Sequence, residues 1–205
     1  MSIANYFTIF RVFISPIFLL VYMYPSFFGI SQVMLPYVLL LLLGVSELSD
    51  AFDGYLARKY NQVTDLGKVL DPMADSIYRI SVFLTFTLEP VHLPMLLIFA
   101  FLYRDSVVST LRTLCALRGF ALAARLSGKI KAVIQAVAAF TVLLLMIPHS
   151  LGMMSTATLQ TYSLWVVGFA ALYSLYTGYD YIYANRKYIQ RALTLPAQKK
   201  SKLAA

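Results

Sequence analysis

Residues 50–75 read DAFDGYLARKYNQVTDLGKVLDPMAD, and the rest of the chain is organised around them. Four aspartates stand there in two pairs, Asp50/Asp53 and Asp71/Asp75. A spacing of three or four residues puts the two carboxylates of a pair on one face of a helix. Gly54, Ala57, Arg58 and Gly67 lie between the pairs, and long apolar runs flank the stretch. Carboxylates at the ends of membrane helices are costly, so by default they mark a functional site.

The flanks support a membrane setting. Of 205 residues, 60% are hydrophobic and only 13% are charged, too apolar for an ordinary soluble domain. Six apolar segments, at about 12–30, 33–57, 68–88, 93–117, 128–148 and 159–183, are each long enough to span a bilayer or nearly so. Pro16 is expected to kink the first. Residues 1–10 form a short interfacial segment before it, with no cleavage site of the signal-peptide kind. The expected fold class is therefore an all-α integral membrane protein, a bundle of six transmembrane helices. Residues 1–185 make its membrane domain and residues 186–205 a loose basic tail.

Charge fixes the expected orientation. The net charge is +8. Arg58, Lys59 and Lys68 follow the second segment, Arg112, Arg118, Arg125, Lys129 and Lys131 lie around the fourth connection, and Arg186, Lys187 and Arg191 open the tail. The other connections carry almost no positive charge. This alternation puts both termini and the aspartate stretch in the cytoplasm, with the active site at that end of the bundle. It also leaves no basic soluble domain to bind nucleic acid. The tail could touch anionic lipid headgroups. Cys115 is the only cysteine, so there is no internal disulfide, and His92 and His149 fall in outward loops far from the aspartates.

Helical arithmetic places the carboxylates by depth. Asp50 lies roughly 14 Å above the inner end of the second helix, and Asp71 and Asp75 roughly 6 and 12 Å into the third. Antiparallel neighbours would gather the four just below the headgroups. Four close carboxylates need counter-charge, and the nearby basic residues are too few. Oxygen ligands without His or Cys select Mg²⁺ or Mn²⁺, and two such ions could clamp a pyrophosphate. Arg58 offers a forked donor to phosphate one turn from Asp53.

The stretch fits D-x2-D-G-x2-A-R-x8-G-x3-D-x3-D at all eight specified positions. In this the chain resembles the CDP-alcohol phosphotransferases. The resemblance implies that Asp50, Asp53 and Asp71 are metal ligands. It implies that Asp75, also near the metal, is the general base for the acceptor hydroxyl. Gly54, Ala57, Arg58 and Gly67 match residues lining the CDP site. Asn5, Thr8 and Arg11 form N-x-x-T-x-x-R, similar to the start of the bacterial phosphatidylglycerophosphate synthase branch, where Asn5 and Thr8 would serve CDP. Asn5 is equally well a helix cap. The implied reaction is attack of an alcohol on the phosphorus bearing the lipid of CDP-diacylglycerol, with CMP leaving, in the bacterial inner membrane.

The acceptor is approached the same way. Asp71-Pro72-Met73-Ala74-Asp75, Arg104-Asp105, Arg112 and Gly128-Lys129-Ile130-Lys131 all resemble that branch. Cations at Arg104, Arg112, Lys129 and Lys131 would suit a phosphorylated acceptor such as sn-glycerol 3-phosphate. The loop cations also satisfy the positive-inside rule, whereas Arg104 lies inside an apolar segment and needs a partner. Ser76 stands where the branch usually has lysine. Arg79 either replaces that lysine at the acceptor or pairs with Asp75 four residues before it. An inositol phosphate acceptor is the alternative, and serine fits less well. A divalent-cation transporter is a reading of a different class, but its acids would sit near the midplane, often within an inverted repeat. Ala132, Ala136 and Ala139 make a small-residue face for helix contact within the bundle or across a homodimer.

Overall fold

Among the residues described by this computed structural model, 3–59, 65–117 and 125–194, the chain forms six α-helices and no strand. Side chains are described from Arg11 onward, apart from 50–51, 53–59, 65–72, 116–117 and 192–193. The helices are α1 (Ile3–Met23), α2 (Leu35–Lys59), α3 (Asp65–Thr85), α4 (Met95–Leu117), α5 (Leu126–Ser150) and α6 (Thr156–Thr194).

Two ends differ from the sequence expectation. No break separates residues 1–10 from the first apolar run, because α1 is continuous from Ile3 through Pro16. It stops at Met23 rather than near residue 30. Pro25 disfavours helical geometry in the residue before it, and Tyr24 takes φ −128° and ψ 53°. A 3-10 turn, Pro25–Phe28, follows and closes on Gly29 at φ 67°, a left-handed position that suits glycine. At the other end, residues 186–194 are not loose. α6 runs on to Thr194 because Ile189 is buried in an apolar contact with Cys115 and Leu111 of α4. His149 lies in the last turn of α5 rather than in a loop.

Packing divides the helices into two groups. α1 packs against α2 and α3, while α6 packs against α4 and α5. Contacts of α2 with α5 and of α3 with α4 and α5 join them. Phe18, Phe83, Phe86 and Phe101 fill the centre, with Phe83 and Phe101 centroids 4.7 Å apart. Small residues are buried on both α5 and α6, which pack together: Ala138 and Ala139 on α5, Ala170, Ala171 and Ser174 on α6. Small side chains let helix backbones approach closely.

The outer surface is apolar too. Leu96, Val133, Trp165, Phe169 and Leu172 are all exposed. α5, with 25 residues, is long and apolar enough to cross a membrane, and Arg11–Met23 and Leu35–Ser49 are shorter apolar stretches.

Candidate active site

α3 carries two consecutive residues, Asp75 and Ser76, that face different partners. Asp75 Oδ1 accepts a hydrogen bond from Arg11 Nη1 at 2.8 Å. Arg11 reaches it from α1, across 64 residues of sequence, and is 1% exposed. A buried guanidinium without a carboxylate would be strongly unfavourable, so each group stabilises the other where it stands. Asp75 keeps its second oxygen less engaged. Its nearest cation among the described residues is Arg79 Nη2 at 3.7 Å, and the side chain is about one-third exposed.

Arg79 links three helices. Its Nη2 lies 3.8 Å from Glu47 of α2 as well as 3.7 Å from Asp75, and its Nη1 donates to the Ala132 carbonyl of α5 at 2.6 Å. The i,i+4 pair with Asp75 is therefore present, though long. The short contact is the one to Ala132, on the small-residue face of α5.

Ser76 turns toward a second cluster. Its Oγ lies 3.4 Å from Asp105 Oδ2. Asp105 Oδ1 accepts from Arg104 Nη1 at 2.9 Å and from Lys131 Nζ at 2.7 Å. All three charged side chains are almost fully buried. Charge-assisted bonds of this length are strong ones, and desolvation makes leaving either partner alone expensive. Nearby, Asp180 of α6 accepts from Ser127 Oγ at 2.8 Å and pairs with Arg125 Nε at 2.9 Å, fixing the start of α5.

The site residues expected from sequence thus divide into three sets, with Arg112 and Lys129 apart from them. Asp75 and Arg79 stand together, and Arg104 and Lys131 stand together, with Ser76 next to Asp75 joining the two groups. Arg112 is half-buried on α4 with its Nε fully enclosed, and no carboxylate pairs with it among the described residues. Lys129 is exposed on the first turn of α5. The third set falls outside the described side chains: Asn5, Thr8, Asp50, Asp53, Gly54, Ala57, Arg58, Gly67 and Asp71. Their backbones place Asp50, Asp53, Gly54, Ala57 and Arg58 on α2, Gly67 and Asp71 on α3, and Asn5 and Thr8 on α1. The expected meeting of four carboxylates therefore lies outside the described residues.

Several contributors escaped sequence reasoning. Arg11 appeared only as the last letter of a short motif, yet a lone arginine in an apolar run was itself a sign that a buried partner exists. Glu47, one turn before Asp50, gave no signal of its own. Asp180 was hidden in a tyrosine-rich helix.

The model of the CDP-alcohol phosphatidyltransferase family matches residues 1–187. A Rickettsia felis protein named CDP-diacylglycerol–glycerol-3-phosphate 3-phosphatidyltransferase is 32% identical over 189 residues, covering 91% of this chain and 97% of its own length. A Bacillus subtilis protein of the same name is 31% identical over 193 residues, covering 90% and 95%. One from Escherichia coli is 33% identical over 144 residues, covering 67% and 74%.

Proposed function

The chain belongs to the CDP-alcohol phosphatidyltransferase family, and from that premise we propose that it transfers a phosphatidyl group from CDP-diacylglycerol to sn-glycerol 3-phosphate. The acceptor hydroxyl attacks the phosphorus that bears the lipid, CMP leaves, and phosphatidylglycerophosphate forms. The observation that carries this reading is the neighbourhood of Asp75 and Ser76. A carboxylate suited to receive a proton is followed by Ser76, whose hydroxyl reaches Asp105, the partner of a buried cation pair suited to a phosphate.

In this scheme Asp75 takes the acceptor's hydroxyl proton. General-base help of this kind contributes about 10²–10⁴-fold. Arg11 holds the carboxylate through Oδ1, which leaves Oδ2 toward the reacting groups. Arg104, Lys131, Arg112 and Lys129 receive the acceptor's phosphate, and Arg112 supports this by lacking a carboxylate of its own among the described residues. Arg79, drawn to Glu47, Asp75 and Ala132, holds α2, α3 and α5 in place beside that site.

Asp50, Asp53, Asp71 and Asp75 form an all-carboxylate donor set that fits Mg²⁺ or Mn²⁺, and the partly exposed Asp75 accepts no hydrogen bond at Oδ2 among the described residues. Two such ions, when bound, supply positive charge to the pyrophosphate of the donor. Gly54, Ala57, Arg58, Gly67, Asn5 and Thr8 are assigned to the CDP moiety on the motif alone. The apolar outer faces of α4, α5 and α6 support placement in a bilayer, with six helices crossing it and the aspartates at the cytoplasmic end.

Purified protein with CDP-diacylglycerol, Mg²⁺ and a panel of labelled acceptors tests the reading. Glycerol 3-phosphate is expected to give one lipid product and stoichiometric CMP. Preference for inositol phosphate would reassign the acceptor, and full activity in excess chelator would falsify the metal assignment.

A further inference from the structure

Arg104 is held on two sides by different means. On one side its Nη1 and Lys131 Nζ converge on a single oxygen of Asp105. On the other it lies against the backbone of α6. A Cβ built at Gly178 would stand 2.9 Å from Arg104 Cγ, closer than carbon atoms pack. A Cβ at Gly128 of α5 would be 3.9 Å from Nη2, ordinary contact. Arg104 Nε is fully buried without a hydrogen-bond partner. Its Nη2 donates to no described residue.

Among the described residues the charges do not balance. Two buried cations share one buried anion there, in a position where an unmatched charge is expensive. Neutrality alone needs only one cation beside Asp105. The surplus positive charge and the unused guanidinium donors suit an anion brought by a ligand. The same turn of α6 fixes both cations in space. Gly178 leaves room for Arg104, and Asp180, two residues on, anchors Ser127 and Arg125 at the start of the helix that carries Lys131.

We propose that Asp105 and Gly178 are positioning residues for the acceptor's phosphate. Asp105 draws Arg104 and Lys131 into a fixed pair, and Gly178, by lacking a side chain, leaves room for the stem of Arg104 beside α6. The proposal rests on the reading above that the acceptor carries a phosphate. Neither residue touches substrate, and each acts through the cations.

The test is steady-state kinetics of the full-length protein in mixed micelles, varying each substrate with the other saturating. Gly178→Ala and Asp105→Asn are each expected to raise KM for glycerol 3-phosphate about tenfold, with KM for CDP-diacylglycerol changed less than about twofold. Inorganic phosphate, competitive with the acceptor in the wild type, is expected to lose potency in parallel. In an Arg104→Ala background, which lacks the Cγ, adding Gly178→Ala should change kcat/KM by less than about twofold. Equal losses for both substrates, an additive double variant, or failure of both single variants to fold would overturn the proposal, because it assigns these residues position rather than structure. A wild-type protein that ignores glycerol 3-phosphate but uses an acceptor without phosphate would instead sink the functional reading itself.

Discussion

The two charged clusters on either side of α3 are built in opposite ways. Around Asp75 the described charges are two guanidiniums, Arg11 and Arg79, and two carboxylates, Asp75 and Glu47. The motif adds Asp50, Asp53 and Asp71 on the same helices. Around Asp105 the cations outnumber the acid, with Arg104 and Lys131 bound to it and Arg112 on the same helix. In the proposed reading the first cluster, completed by the motif aspartates, takes cations and the second takes an anion. A transfer between a nucleotide-activated lipid and a phosphorylated alcohol needs both within reach of one reacting phosphorus.

That contrast can be broken from either side. The largest effect is expected for Asp75→Asn, which keeps shape but removes the base. Turnover should fall about a thousandfold while CDP-lipid binding with metal remains measurable. Loss of CDP-lipid binding together with turnover would move Asp75 from the acceptor to the nucleotide. Arg11→Ala comes next, since it removes the buried partner of a partly exposed carboxylate. A loss of about 1.5–3 kcal/mol in stability, read by thermal or denaturant unfolding in detergent, is the expected cost. Arg11→Lys should recover part of it, and full stability of the alanine variant would show that the pair is dispensable.

Smaller effects sharpen the other side. Arg112→Ala should raise the acceptor's KM roughly tenfold and leave the CDP-lipid's KM alone. An effect on the CDP-lipid instead would move Arg112 to the first cluster. Asp180→Asn should be mildest, at about 1 kcal/mol or less, because Arg125 is substantially exposed and solvent screens the pair. Its signature is a lowered unfolding temperature without a change in metal dependence.

How much of this was legible in the sequence depends on how local each feature is. The aspartate stretch was legible because one helical turn fixes which side chains share a face. The bounds of α2 and α4 were close to those expected, since apolar runs end where charge begins. The start of α1 was missed because nothing in residues 3–15 breaks a helix, so the polar character of Asn5 and Thr8 did not mark a boundary. The end of α6 was missed because Arg186, Lys187 and Arg191 look like a solvated tail. The helix is retained by Ile189 against Cys115, a contact across more than seventy residues. The Arg11–Asp75 pair was hidden for the same reason. Gly178 offered no signal at all, because the need for a glycine there exists only once Arg104 lies against it.

α6 has one more consequence. At about 1.5 Å per residue, its 39 residues make a rod of roughly 58 Å, nearly twice a hydrocarbon layer of about 30 Å. Gly178 lies roughly 33 Å from the first residue, Thr156, close to where such a rod leaves the oil. In the bilayer setting proposed above, a thinner membrane is met by greater tilt and a thicker one by less. α6 then acts as a thickness gauge whose marked point is the contact with Arg104. A change of tilt would therefore be felt at the place where α6 passes Arg104.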